Sequence, residues 1–179
     1  MMNSQMTPSL HYLLFKTPVG PCGLLWSEHG LCAIQLPESS ESATRQRIFE
    51  RYPACRERAP SPTVSQAVAL ITELLHGTKP SLDQLVLDLR GVSPFCRKVY
   101  AAARQIPVGE TISYGELAQR IGSPGAARAV GRALGTNPLP IVVPCHRVLA
   151  AGGKLGGFTA HGGLATKQRL LACERGFIV

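Results

Sequence analysis

The sequence predicts an α+β protein in two parts, a β-then-α domain over residues 1–90 and a mainly helical domain over residues 91–179. Short strand-like runs parted by Gly and Pro turns open the chain, and helix-capping signals crowd its second half. The charge is divided in the same place. Residues 1–90 hold 8 Lys and Arg against 8 Asp and Glu, whereas residues 91–179 hold 11 against 3, so the whole net charge of +8 lies in the second half. At 179 residues the chain has ample length for a real core.

In order, "HYLLFKT" and "GLLWSE" read as strands separated by "PVGP", and "EHG" turns the chain into a third, "LCAIQL". "ESATRQRIFERY" and "SPTVSQAVALITELLHG" have helical spacing, the second with Pro62 near its start and Gly77 at its end. "LVLDL" reads as a short strand. The second half opens with "SPFCRKVYAAARQI", where Ser93 is a natural N-cap and Pro94 a natural first helical residue. Ser113 and Glu116 form an S-x-x-E capping box, which predicts a helix from Tyr114 to about Ile121, ended by Gly122. Ser123-Pro124 then starts another that runs to Leu134 and stops at Gly135. Two short helices joined by a turn of about three residues make a helix-turn-helix pattern.

A basic half beside a neutral one is the footprint of a polyanion partner or a solvated surface kept for solubility, and charge alone leaves both open. No apolar run approaches the ~20 residues of a membrane span, and "MMNSQMTPSLHYLLFK" lacks the layout of a secretory signal. The expectation is a soluble cytoplasmic protein with no membrane contact. Cys22, Cys32, Cys55, Cys96, Cys145 and Cys173 contain no C-x-x-C pair and read as reduced thiols. His11, Cys22, His29 and Cys32 lie close enough in sequence to raise a zinc site, but read as scattered residues, so no metal is assigned.

The second helix of the pair is rich in small residues: Gly125, Ala126, Ala127, Ala129, Val130, Gly131 and Ala133, with Arg128 and Arg132. A reader of base edges normally carries Asn, Gln, Lys or Arg aimed at them. This helix suits close approach to a sugar-phosphate wall with little sequence preference, or a helix–helix packing face.

"PIVVPCHRV" carries the chemistry. Cys145 needs a base to become a thiolate, and a base needs a partner to fix its tautomer. His146 is adjacent, but neighbours on an extended chain point to opposite faces, so a bend or a bridging water is required. Of the three carboxylates in this half, Glu116 caps a helix and Glu110 sits in a turn. Glu174, ending the amphipathic helix of "LATKQRLLACERG", is the best candidate to orient His146. The bland alternative is an inert thiol buried after "IVV".

"NPLPIVVPCHRV" resembles the active-site signature of the O6-alkylguanine-DNA alkyltransferases. The resemblance runs through the second half, from "FCRKVYAA" through "ISYGELA", "AARAVGRAL" and "GGL" to "LLACE", and is weaker but compatible before it. It implies a ribonuclease-H-like N-terminal α/β domain, a helix-turn-helix in the C-terminal one, and single-turnover repair of duplex DNA without a cofactor. Cys145 would take the alkyl group from O6-alkylguanine, or from O4-alkylthymine, as a thioether. His146 would act as base through water, held by Glu174, and Asn137 would brace the turn before the cysteine. Tyr114 would crowd a phosphate and hydrogen-bond the flipped base, and Arg128 would fill the gap in the stack. Ser113, Ala126, Ala127, Ala129 and Arg132 would face DNA. Leu134, Phe158, the carbonyls of Cys145 and Val148, and the amide of Thr159 would surround the guanine. The family further implies a monomer in solution that clusters on DNA.

Physical chemistry agrees with these implications. An alkylated base inside a duplex must be flipped out to be reached, and the hole it leaves can be held by an inserted side chain. Lesions fall in any sequence, so a weakly discriminating helix is suitable. The loop "GGFTAHGG", Gly156 to Gly163, departs from animal members toward bacterial forms, and Leu134 stands where a bulkier residue packs on the base. Both bear on the accepted alkyl size. Relatives that bind without reacting carry Trp at the position of Cys145. Two rival readings exist: a helix-turn-helix regulator with a redox cysteine, which predicts sequence-selective binding, and a cysteine hydrolase, which predicts turnover on an acyl substrate.

Overall fold

Gly20 and Gly30 mark the turns of an antiparallel meander at the start of the computed structural model, which describes residues 9–177. Residues 1–8, part of the stretch tested for a secretory signal, and 178–179 lie outside the described residues. Strands β1 (His11–Thr17), β2 (Gly20–Ser27) and β3 (Gly30–Gln35) are joined by tight turns, with His11 opposite Trp26 and Ser27 opposite Gly30. Gly30 has φ +137°, and a Cβ there would come within 2.6 Å of the Val86 carbonyl, so only glycine fits. A two-residue β4 (Arg56–Glu57) lies parallel to β1, giving the order β3-β2-β1-β4.

The sheet is covered on both faces, which is why β2 is buried continuously from Cys22 to Ser27. Helix α1 (Glu41–Arg51) packs Ile48 on one face with Tyr12, Leu25 and Ala33. Helix α2 (Pro62–Leu75) packs Val64, Ala67, Ile71 and Leu74 on the other, against Cys22, Leu24 and Ile34. That second layer continues without a break into the residues of the C-terminal half, including Val99, Leu117, Leu139, Val143 and Leu170.

"LVLDL" is not a strand of any length. It makes a single bridge, Leu31 with Leu87, through Leu31 N–H to Val86 O (2.9 Å) and Asp88 N–H to Leu31 O (2.8 Å). Asp88 then turns the chain away: its carboxylate accepts from Ser27 Oγ (2.6 Å) and from the Arg90 side chain.

Helix α3 (Pro94–Arg104) starts where expected, Ser93 Oγ accepting from the Cys96 amide at 3.3 Å. Helix α4 (Tyr114–Arg120) has the full capping box: Glu116 N–H to Ser113 Oγ at 3.1 Å and Ser113 N–H to Glu116 Oε2 at 2.6 Å. Helix α5 (Ala127–Gly135) starts later than Ser123-Pro124 predicts. Gly125 takes φ +89° and the Ala126 amide closes a turn onto Ser123 O at 3.0 Å, so residues 121–126 form a longer connector than three residues. Helix α6 is Leu164–Glu174. A second pairing, invisible in the sequence, joins β5 (Ile112–Ser113) in parallel to β6 (Val148–Leu149). It ties the start of α4 to the residues just after the cysteine. The result is a mixed α+β protein with six helices among the described residues.

Candidate active site

The apolar "IVV" run is the support of the site. Ile141, Val142 and Val143 are almost wholly buried, and Ile141 holds φ +76°, a costly conformation for a β-branched residue that only surrounding packing can maintain. Asn137 fixes this turn from both ends: its Nδ2 donates to Val143 O at 2.8 Å and its Oδ1 accepts from Leu139 N–H at 2.9 Å. The N-terminal sheet supports the same turn, since Ile34 N–H donates to Pro138 O at 2.8 Å.

Cys145, His146 and Arg147 then form one turn of 3-10 helix, with Arg147 N–H on Pro144 O at 2.9 Å. This is the bend that the adjacency of Cys145 and His146 calls for. The bend removes the opposite-face constraint on Cys145 and His146. His146 is 1% exposed, and its Nε2–H donates to Glu174 Oε1 at 2.6 Å. A carboxylate only accepts, so this bond fixes the proton on Nε2. Nδ1 is buried and has no protein partner among the described residues.

Glu174 is the most heavily bonded acceptor of the site. Besides His146, it accepts from Arg147 Nε (3.0 and 3.1 Å), Arg147 Nη2 (2.8 Å) and the Gly109 amide (3.1 Å). Burial would push its carboxyl up, but the bonds and charges of His146 and Arg147 outweigh burial and hold it down at about 2. A carboxyl lowered in the folded state stabilises the fold above its unfolded range and loses that contribution as pH falls through the folded value. Glu174→Gln should therefore flatten the fall in stability between about pH 5 and pH 2 that the wild type shows, a difference of order 3 kcal/mol. Urea unfolding at a series of pH values measures it; parallel curves would show that Glu174 is not held in this way.

Two residues of the site escaped sequence reasoning. Arg147, 5% exposed, also donates through Nη1 to Ile106 O at 2.6 Å. Lys167 is fully buried, its Nζ donating to Val148 O (2.7 Å) and Leu155 O (2.5 Å) and standing 5.9 Å from the centre of the Tyr114 ring. A charged residue usually reads as solvated surface, and only the tertiary partners explain these two. Burial pushes the Cys145 thiol up, while Asn137, the Lys167 charge and the backbone amides of Cys145 and His146 pull it down. Burial, then the adjacent Cys145, push the Tyr114 hydroxyl up, so Tyr114 stays a donor at neutral pH.

Cys145, Asn137 and Tyr114 line a cavity of about 850 Å³ with Ser113, Leu134 and the loop Gly157–His161 among others, whereas His146, Arg147, Lys167 and Glu174 lie outside its lining. On its other sides stand Ala127, Arg128, Gly131 and Arg132 of α5, with Arg128 and Arg132 exposed. Gln35, Glu38, Arg47 and Arg51 close it from the N-terminal half. Phe158 and Thr159 line it as well, Thr159 Oγ1 donating to Gly135 O at 3.1 Å. Ala126 and Ala129 lie outside this lining; Ala126 packs on the core. Val148 is buried and outside this lining, and its carbonyl already accepts Lys167. His11, Cys22, His29 and Cys32 do not converge: among the described residues no group of His, Cys, Asp or Glu is placed to hold a metal ion. Among the same residues no helix is long and apolar enough to cross a membrane.

Fold and cavity together define a class, an α+β protein whose cysteine sits beside a carboxylate-held histidine under a small-residue helix. The family model described as "6-O-methylguanine DNA methyltransferase, DNA binding domain" matches residues 94–176. The methylated-DNA–protein-cysteine methyltransferase of Mycobacterium bovis is 41% identical over 169 residues, 93% of each chain. That of Mycolicibacterium paratuberculosis is 64% identical over 89 residues, 50% of this chain and 52% of that protein. A crystal structure of Mycobacterium tuberculosis OGT in complex with DNA superposes with TM-score 0.75 at 37% identity, covering 93% of this chain and 94% of that one. The chain belongs to the methylated-DNA–protein-cysteine methyltransferase family.

Proposed function

We propose that this protein repairs duplex DNA by moving the alkyl group of O6-alkylguanine, and of O4-alkylthymine, irreversibly onto Cys145. The observation that carries the reading is Cys145 on the cavity wall, next in the chain to a His146–Glu174 pair at 2.6 Å, with Arg128 on the same cavity. DNA binds along α5, the second helix of a helix-turn-helix formed with α4. Ser113, Ala126, Ala127, Ala129 and Arg132 face the duplex, and Arg128 takes the place of the extruded nucleotide. The flipped base enters between Tyr114, Leu134, Phe158, Thr159 and Val148. Water relays the thiol proton to His146 Nδ1, and Glu174 stabilises the imidazolium that forms. The Cys145 sulfur attacks the alkyl carbon, the C–O6 bond breaks, and Tyr114 gives its proton to the ring so that guanine leaves neutral. The tyrosinate then regains a proton from His146 or solvent. Asn137 holds the turn that aims the sulfur.

The same reading divides the chain into a ribonuclease-H-like domain (1–90) and a reactive domain (91–179), in a cytoplasmic monomer that clusters on DNA. A thioether is a poor leaving group, so each molecule acts once. Titrating the protein with a duplex bearing one O6-methylguanine should give repaired lesions equal in moles to active protein. Repair that continues beyond that equivalence without an added acceptor refutes the single-use mechanism.

A further inference from the structure

The loop Gly156–Gly163 forms one side of the cavity through Gly157, Phe158, Thr159, Ala160 and His161, with Phe158 and Ala160 packed on the core. Gly156, Gly162 and Gly163 bracket it with φ of 67°, 78° and 51°, conformations that a side chain would strain. Two of its anchors lie within the C-terminal half, Thr166 Oγ1 to His161 O (2.5 Å) and Thr159 Oγ1 to Gly135 O (3.1 Å), and Lys167 Nζ holds Leu155 O (2.5 Å) just before it. Another crosses to the N-terminal half, where His161 Nδ1 meets Glu38 Oε2 at 3.0 Å.

Glu38 is a prepared anchor. Its amide donates to Thr44 Oγ1 at 3.0 Å, its Oε1 accepts from Gln35 Nε2 at 3.3 Å, and Gln35 in turn accepts from Arg51 at 3.3 Å. The Glu38 side chain is 18% exposed and that of His161 53%. The better-held partner is therefore the glutamate, and the more exposed one is the histidine on its glycine-bracketed loop.

We propose that the His161–Glu38 pair is a tether that determines specificity, holding the loop against the cavity and so limiting the size of alkyl group that reaches Cys145. The proposal rests on the transfer reaction inferred above. A methyl group fits the closed loop, whereas a benzyl group needs Phe158 and Ala160 to move outward, and the tether resists that movement. A single hydrogen-bonded pair with one exposed partner is a modest restraint, so the expected change is correspondingly modest.

The test uses the full chain and duplexes of one sequence carrying O6-methylguanine or O6-benzylguanine. Single-turnover rates are compared for wild type, Glu38→Ala, His161→Ala and His161→Lys, together with hydrogen exchange over residues 156–163. The benzyl-to-methyl rate ratio should rise about fivefold at most in the two alanine variants. Exchange across the loop should rise with it, and both should return toward wild type in His161→Lys, which again offers Glu38 a donor. An unchanged ratio, or the two rates falling together, overturns the tether. Should the wild type repair neither duplex, the transfer reading fails on its own, and unchanged loop exchange in the alanine variants still overturns the tether.

Discussion

Cys145→Ser is expected to lose all alkyl transfer while binding duplex DNA as the wild type does. The substitution changes one atom at a site only 8% exposed, so the fold and the 3-10 turn should persist. A serine hydroxyl is far less acidic than a thiol and a much weaker nucleophile toward an alkyl carbon, and among the described residues no other cysteine lines the cavity. Binding should survive because the exposed Arg128 and Arg132 and the basic excess of residues 91–179 are untouched. Anisotropy titrations at several salt concentrations should show affinity falling steeply, as when Lys and Arg displace ions from phosphates. A variant that loses DNA binding along with transfer would place Cys145 in the fold rather than in the chemistry.

Arg128→Ala and Glu174→Gln should fail in opposite patterns. If Arg128 fills the place of the extruded guanine, its loss exposes part of an unstacking cost of a few kcal/mol. A loss of about 1.4 kcal/mol slows transfer from duplex roughly tenfold. Free O6-benzylguanine needs no flipping, and it meets the same cavity loop in the wild type and in Arg128→Ala. Its rate should hardly change in Arg128→Ala. Glu174→Gln should slow both substrates, because it removes the charge that stabilises the imidazolium of His146. Single-turnover rates for each variant with each substrate decide the matter. Arg128→Ala slowing the free base as much as the duplex would remove the flipping role.

Much of this was legible in the chain because its signals are local. Ser93-Pro94, the Ser113–Glu116 box and the apolar spacing of α2 each need only a few neighbouring residues, and each element forms there. Glu174 could be singled out because carboxylates are so scarce in the second half. Long-range effects were not legible. β5 and β6 are two residues each and pair across the α4–α5 region, so no periodicity announces them. "LVLDL" has strand composition, but Asp88 turns the chain away after one bridge. The start of α5 was misplaced because Ser-Pro is a good helix opening and the left-handed Gly125 cancels it. Arg147 and Lys167 receive no role from the sequence, because their partners, Glu174 and the carbonyls of Ile106, Val148 and Leu155, come mostly from distant parts of the chain.

The central claim is that the protein's own Cys145 is the acceptor. Mass analysis of peptides from the protein after reaction with a stoichiometric methylated duplex tests it most directly. The account predicts one added methyl group, confined to the peptide holding Cys145 and stable to thiol reductants, with unmodified guanine left in the DNA. Repaired DNA together with an unmodified Cys145, or a methyl group on any other residue, would contradict it.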